Sequence, residues 1–171
     1  MSGAIVFAER AIAPGGDLIW PAALEHLARR FASIRELDIA AIPAREDAVP
    51  ALEAWAGEDV SSWRLELGRF YDDHARVHLR RDPGTAAMLA SLRAQGVKLA
   101  VYGQGPRETS AITLAFLGLD RRLDAVELEP AGDGYAVCLA ALGVSEARHV
   151  TAREELAALA ATRTRLRERT A

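Results

Sequence analysis

The sequence predicts an α/β fold built on a parallel sheet, and three observations carry that prediction. Between Pro83 and Arg107 the apolar residues recur at helical spacing from Met88 to Leu92, Gly96 stops the helix, and Val97 to Tyr102 reads as a buried strand opening into a Gly-rich turn. A second short apolar strand, Ala4-Ile5-Val6-Phe7, begins the sequence. From Asp82 onward helix and strand alternate at short intervals, which is the pattern of successive βα units whose strands lie parallel under helices on both faces.

Taken in order, the first strand is set apart from the next segment by the turn Pro14-Gly15-Gly16. Residues 17–81 then change character. Pro21 is expected in a first helical turn, with Leu24, Leu27, Ala28 and Phe31 as its apolar stripe. A second helix is expected around Val49 to Trp55 and a third from Ser62, carrying Trp63, Leu67, Phe70, Tyr71, His74 and His78. This block reads as a helical insertion. Beyond it the pattern predicts a helix over 84–95, a strand over 97–102, a helix over 106–117 ended by Gly118, and a strand over 123–128. A helix from Tyr135 to Leu142, a short strand around Arg148 to Val150 and a last helix from about residue 152 complete the series. The expected division is therefore a core of residues 1–16 and 82–171 with a helical cap of residues 17–81.

The 171 residues fit one domain with an insertion, and 50% of them are hydrophobic, enough for a sizeable core. Lysine and arginine number 21 against 24 acidic residues, a net charge of −3, so no global field draws the chain to nucleic acid or anionic lipid. Lys98 is the only lysine, which removes nearly every candidate for a catalytic lysine. The single cysteine, Cys138, excludes a disulfide framework and sits in an apolar run where a small buried hydrophobe is expected. The first apolar run meets Glu9 and Arg10 too early for a signal-peptide core, and nothing approaches membrane-spanning length. A cytoplasmic protein is expected.

The strand Ala4-Ile5-Val6-Phe7 and the stretch from Pro83 to Arg107 together resemble the haloacid dehalogenase-like (HAD) phosphohydrolase superfamily. The resemblance implies a Rossmann-like core with a parallel sheet and a small helical cap. In that family the first strand ends in an aspartate nucleophile, with a second aspartate two residues later as general acid/base. Here Ala8 matches the nucleophile and Arg10 the acid/base. A methyl group cannot attack phosphorus, and an arginine stays protonated at ordinary pH. The family's second strand ends in a serine or threonine that holds the phosphoryl group, and Gly103 stands there. A lysine before proline is the usual third element, but Glu129-Pro130 is the best match, a reversal of charge. Lys98 enters its strand at the opposite end and cannot substitute. The fourth element holds magnesium with acidic residues, and Ala152 sits where the main ligand is expected, in a run Thr151-Ala152-Arg153-Glu154 that reads as a helix capping box.

Four departures of this kind argue against the family's usual phosphatase reaction. No catalytic residue is therefore assigned, no metal site is expected, magnesium is expected not to bind tightly, and no cofactor is implied. Two ways of working remain. One is association with a protein partner or a second copy through the cap and pocket mouth. The other is binding of a small phosphorylated ligand at Arg10, Gly103, Gln104, Gly105 and Arg107, because glycines after a strand let backbone amides approach a phosphate. The alternative is an active hydrolase with relocated carboxylates, for which Glu9, Asp17 and Asp133 are nearest in sequence. His74 and His78, four apart with Asp73 nearby, have metal-ligand spacing but no second cluster to complete a site. Arg163, Arg165, Arg167 and Arg169 spread charge around a terminal helix.

Overall fold

The computed structural model describes residues 3–159. Four strands, β1 (Ala4–Ala8), β2 (Lys98–Gly103), β3 (Ala125–Leu128) and β4 (Arg148–Val150), form one sheet in the order β3-β2-β1-β4. Every pairing is parallel, with Ala8 opposite Tyr102, Gly103 opposite Leu128 and Phe7 opposite Val150. All four strands therefore end along one edge of the sheet, and Ala8, Gly103, Glu129 and Ala152 are brought to that edge from positions far apart in sequence.

The alternation of side chains along β1 and β2 sends successive residues to opposite faces. Phe7, Leu99 and Val101 pack with Leu89 and Leu92 of α5 (Pro83–Ala94) and with Leu156 and Leu159 from the helical residues 153–159. Val6 and Ala100 face the other way onto Cys138 and Leu142 of α7 (Gly134–Leu142). Cys138 is fully buried there, and burial, helped by the charge of Glu127, pushes its thiol up to about 12. It is a packing residue, since only a thiolate is a competent nucleophile. At the far end of the sheet Lys98 donates to the Leu142 carbonyl, which ends α7.

A four-residue turn of helix, α1 (Glu9–Ile12), follows β1 directly. The insertion then supplies α2 (Gly16–Phe31), α3 (Val49–Ala56) and α4 (Trp63–His78). Ile19, Leu27, Leu52, Leu67 and Tyr71 make its fully buried centre, and Ile112 and Phe116 from α6 (Arg107–Leu117) pack against it. The apolar centre of the insertion is thus shared with a core helix. Tyr71 donates its buried hydroxyl to the Gly16 carbonyl at 2.8 Å, fastening α4 to the start of α2.

Pro21 departs from expectation. The helix begins at Gly16, inside the expected turn, so Pro21 lies in the helix interior and cannot donate to the Asp17 carbonyl. The capping box also differs. Glu155, not the expected Glu154, reaches back to accept from the Thr151 amide at 3.4 Å and from its hydroxyl at 3.0 Å, because the helix starts at Arg153, one residue later. Arg163 and the three arginines after it lie outside the described residues. No helix among the described residues is long and apolar enough to cross a membrane.

Asp82 ties the start of α5 to this last helix. Its carboxylate accepts from the Gly84 amide at 2.9 Å, from the Thr85 hydroxyl at 2.6 Å and from the Arg153 guanidinium. These donors, Thr85 first and Arg153 next, lower its pKa from 3.8 to about 2. A depressed carboxylate stabilises the fold above its unfolded pKa, and that contribution is lost as pH falls through the folded value. Wild-type protein should therefore lose thermal stability more steeply between pH 4 and pH 2 than Asp82→Asn, which keeps a helix-capping side chain but cannot titrate. Melting curves across that window check this, and parallel slopes would refute it.

Candidate functional site

At the C-terminal edge of the sheet the main chain of Ala8 turns at once into α1, so the next side chain, Glu9, folds back into the protein and is only 5% exposed. Arg45, from a short 3-10 turn (Arg45–Asp47) in the insertion, meets it there and is equally buried. Arg45 Nη2 lies 3.1 Å from Glu9 Oε1, an ion-pair distance without hydrogen-bond alignment, while Nη1 donates to Glu9 Oε2 at 3.4 Å. Nη1 also donates to the hydroxyls of Thr109 and Ser110, and Nε donates to Asp17 Oδ1 at 2.7 Å. Burial by itself opposes the charge on Arg45, but the Glu9 carboxylate, with Tyr71 and Asp17 adding, leaves its pKa above the ordinary guanidinium value. The two side chains meet in a place from which water is largely excluded.

Ser110 donates to Glu9 Oε2 at 2.5 Å, and this pair explains Gly103. A Cβ built on Gly103 would lie 2.6 Å from Glu9 Oε2 and 2.8 Å from Ser110 Oγ, so a side chain there collides with groups already bonded to each other. Gly105 is constrained in the same way, since its Cβ would come within 3.0 Å of the Arg45 carbonyl. The two glycines let the insertion's main chain and the Glu9 carboxylate sit where a longer side chain would reach.

Glu129 closes a second part of the edge. Among the described residues it alone, apart from glycines, has a positive φ, +51°. Such a conformation costs on the order of 1 kcal/mol or more and persists only when neighbours hold it. Here its amide donates to the Gly103 carbonyl at 2.6 Å, and its carboxylate accepts from the Arg107 amide at 3.0 Å and from both terminal nitrogens of Arg64 at 2.8 and 2.6 Å. These contacts, Arg64 foremost, lower the Glu129 pKa. Arg64 belongs to α4 and also reaches Glu53 and Glu108. The first amide of α6, where the glycine-rich turn could admit a phosphate, thus carries a carboxylate from the protein itself.

Arg10 is exposed and bridges the edge from outside. Its Nε donates to the Thr151 carbonyl and its Nη1 to the Glu46 carboxylate at 3.2 Å. Of the residues singled out as ligand-binding candidates, Arg10, Gln104 and Gly105 line a cavity of about 50 Å³ with Ala8, Arg45 and Tyr102. Gly103 and Arg107 are not in its lining; Arg107 donates instead to the Leu128 carbonyl. Glu9 and Asp17 are brought together by Arg45, whereas Asp133 caps α7 through the Tyr135 amide. His74 stacks on Phe70, with its Nδ1 2.9 Å from the Phe70 carbonyl oxygen, and His78 stacks beyond it. No group of three or more His, Cys, Asp or Glu side chains able to hold a metal occurs among the described residues.

The resemblance would bring magnesium to this edge, and the residues do not fit it. Ala8 and Ala152 offer methyl groups, Arg10 is a cation, and the carboxylates of Glu9 and Asp17 both face Arg45. Motif matching misses Arg45 and Arg64, because nothing local distinguishes them from the other arginines. A signal was present in the glycines of Gly103-Gln104-Gly105, which make room for something, although not in what fills it.

The sequence matches no protein-family model and no curated protein. Solved structures do resemble the fold. A provisionally assigned beta-phosphoglucomutase from Thermotoga maritima superposes with a TM-score of 0.54 at 17% identity, covering 87% of this chain and 74% of that one. A predicted phosphoglycolate phosphatase from Haemophilus somnus gives 0.50 at 14% identity, covering 88% and 76%. The chain has a HAD-like fold, a Rossmann-like α/β core carrying an insertion of helices. At these identities the likeness extends to the fold alone.

Two variants test the filled edge. Gly103→Thr, which supplies the hydroxyl at the second-strand position, should destabilise the protein by about 1–3 kcal/mol through overpacking against Glu9 and Ser110. Arg45→Met should cost about 3–5 kcal/mol, because it leaves the Glu9 carboxylate buried without its cation. Urea unfolding measures both. A neutral Gly103→Thr would mean that the Glu9–Ser110 pair does not occupy that space.

Proposed function

We propose that this protein is a HAD-like scaffold without phosphohydrolase activity that works by association with a protein partner or a second copy of itself. The observation that carries the reading is the Arg45–Glu9–Ser110 cluster, which occupies the place beside Gly103 where the related chemistry would need an open phosphoryl site. Three further features support it. Ala8 and Arg10 offer neither nucleophile nor base, Glu129 covers the first amide of α6, and Arg64 (to Glu129) and Arg45 (to Glu9) hold the insertion down on the sheet edge. Energy invested in closing a cleft with the protein's own ion pairs is withheld from any substrate that would have to displace them.

Binding of a small phosphorylated ligand at Arg10, Gly103, Gln104, Gly105 and Arg107 is the less supported reading. The Arg10 side chain and the Arg107 amide are already bonded to Glu46 and Glu129, and the remaining cavity is small. Relocated catalysis by Glu9 and Asp17 meets the same obstacle, since both carboxylates serve Arg45.

Purified protein should hydrolyse p-nitrophenyl phosphate no faster than buffer, with or without magnesium, and millimolar magnesium should leave its melting temperature unchanged. A ligand binding only the native state at a hundred times its dissociation constant would add about 2.7 kcal/mol, an easily seen shift. Turnover that survives repurification and disappears in Ala8→Trp would overturn the proposal. Association is read by sedimentation of the purified chain and by cross-linking.

A further inference from the structure

A second cavity, of about 370 Å³, lies where the chain crosses between core and insertion. Its volume falls within the range of about 300–1,000 Å³ typical of small-molecule sites. The two crossings touch: a Cβ on Gly15 would lie 2.9 Å from Leu79 Cδ2, so the segment entering α2 packs on the segment leaving α4. Ile12, Pro14, Leu18, Leu79, Leu117 and Leu119 form an apolar wall. Leu18 is 64% exposed, so the apolar wall is open to solvent on its side.

The polar groups lie beside it and are unequal in charge. Arg80, Arg153, His78, Thr85 and Asp82 complete the lining. Asp82 is satisfied by Arg153 and by Thr85, to which Arg153 also donates at 2.8 Å. Arg80 donates from Nη1 to the carbonyls of Arg76 and Leu79 and meets no carboxylate among the described residues. One positive charge is therefore left over beside an apolar wall. A ligand complementary to both would carry a hydrocarbon body and a single anionic head.

We propose that this cavity binds a small amphipathic monocarboxylate, with its hydrocarbon chain against Leu18, Leu79 and Leu119 and its carboxylate at Arg80. The cavity shares no lining residue with the closed sheet edge, so the proposal does not depend on whether the protein catalyses a reaction there. Occupancy would sit between the two crossings and couple to how the insertion rests on the core.

Sodium octanoate, with octylamine as the cationic comparison, tests this by titration of the full chain followed by calorimetry and amide chemical shifts. Leu18→Asp and Arg80→Glu both change exposed positions, and cooperative melting shows that each variant is folded before its binding is compared. Octanoate is expected to bind with a Kd of about 1 mM or tighter, and each variant, like octylamine with the wild type, to bind about tenfold more weakly or worse. No saturable binding of octanoate, equal affinity in either folded variant, or equal affinity for octylamine would overturn the proposal.

Discussion

The ion pair between Arg45 and Glu9 is the contact on which the architecture of the sheet edge depends. Burying one charge of this size costs several kcal/mol, and burying two is tolerable only when each satisfies the other and the remaining donors find acceptors. Here Thr109, Ser110 and Asp17 supply the rest of that shell. Arg45 comes from the insertion, Glu9 from the first residue of α1, and Ser110 and Thr109 from α6, so three parts of the fold are joined at one point. The glycines at 103 and 105 follow from it, because a larger residue at either would strike Glu9, Ser110 or the main chain of Arg45.

Arg64 repeats the arrangement on the other side. It reaches from α4 to Glu129, and Glu129 accepts the first amide of α6 from a left-handed backbone conformation that only such a clamp sustains. A helix N-terminus attracts negative charge, and in this protein a side-chain carboxylate provides it. With the apolar centre of the insertion also packed on Ile112 and Phe116 of α6, helix and cap are held by both packing and charge. The Arg10–Glu46 bridge is different in kind: both groups are about half exposed, and a pair of that sort contributes little to stability.

The fold sets this edge, and side chains fill it. A parallel sheet whose strands end together presents a natural binding edge, and that geometry is retained here. What fills the edge is alanine, glycine and internal ion pairs.

The sequence by itself determined the alternation of helices and strands, the parallel sheet and the helical insertion. Each of these is written locally, in hydrophobic period or in glycine punctuation. Tertiary structure alone decided the partners of Arg45 and Arg64, the positive φ of Glu129 and the start of α2 ahead of Pro21. The choice of Glu155 over Glu154 for Thr151 was decided in the same way. The reason is physical: a charged side chain looks alike in sequence whether it faces water or a buried carboxylate, and the contact from residue 45 to residue 9 exists only once the insertion has folded back over the sheet.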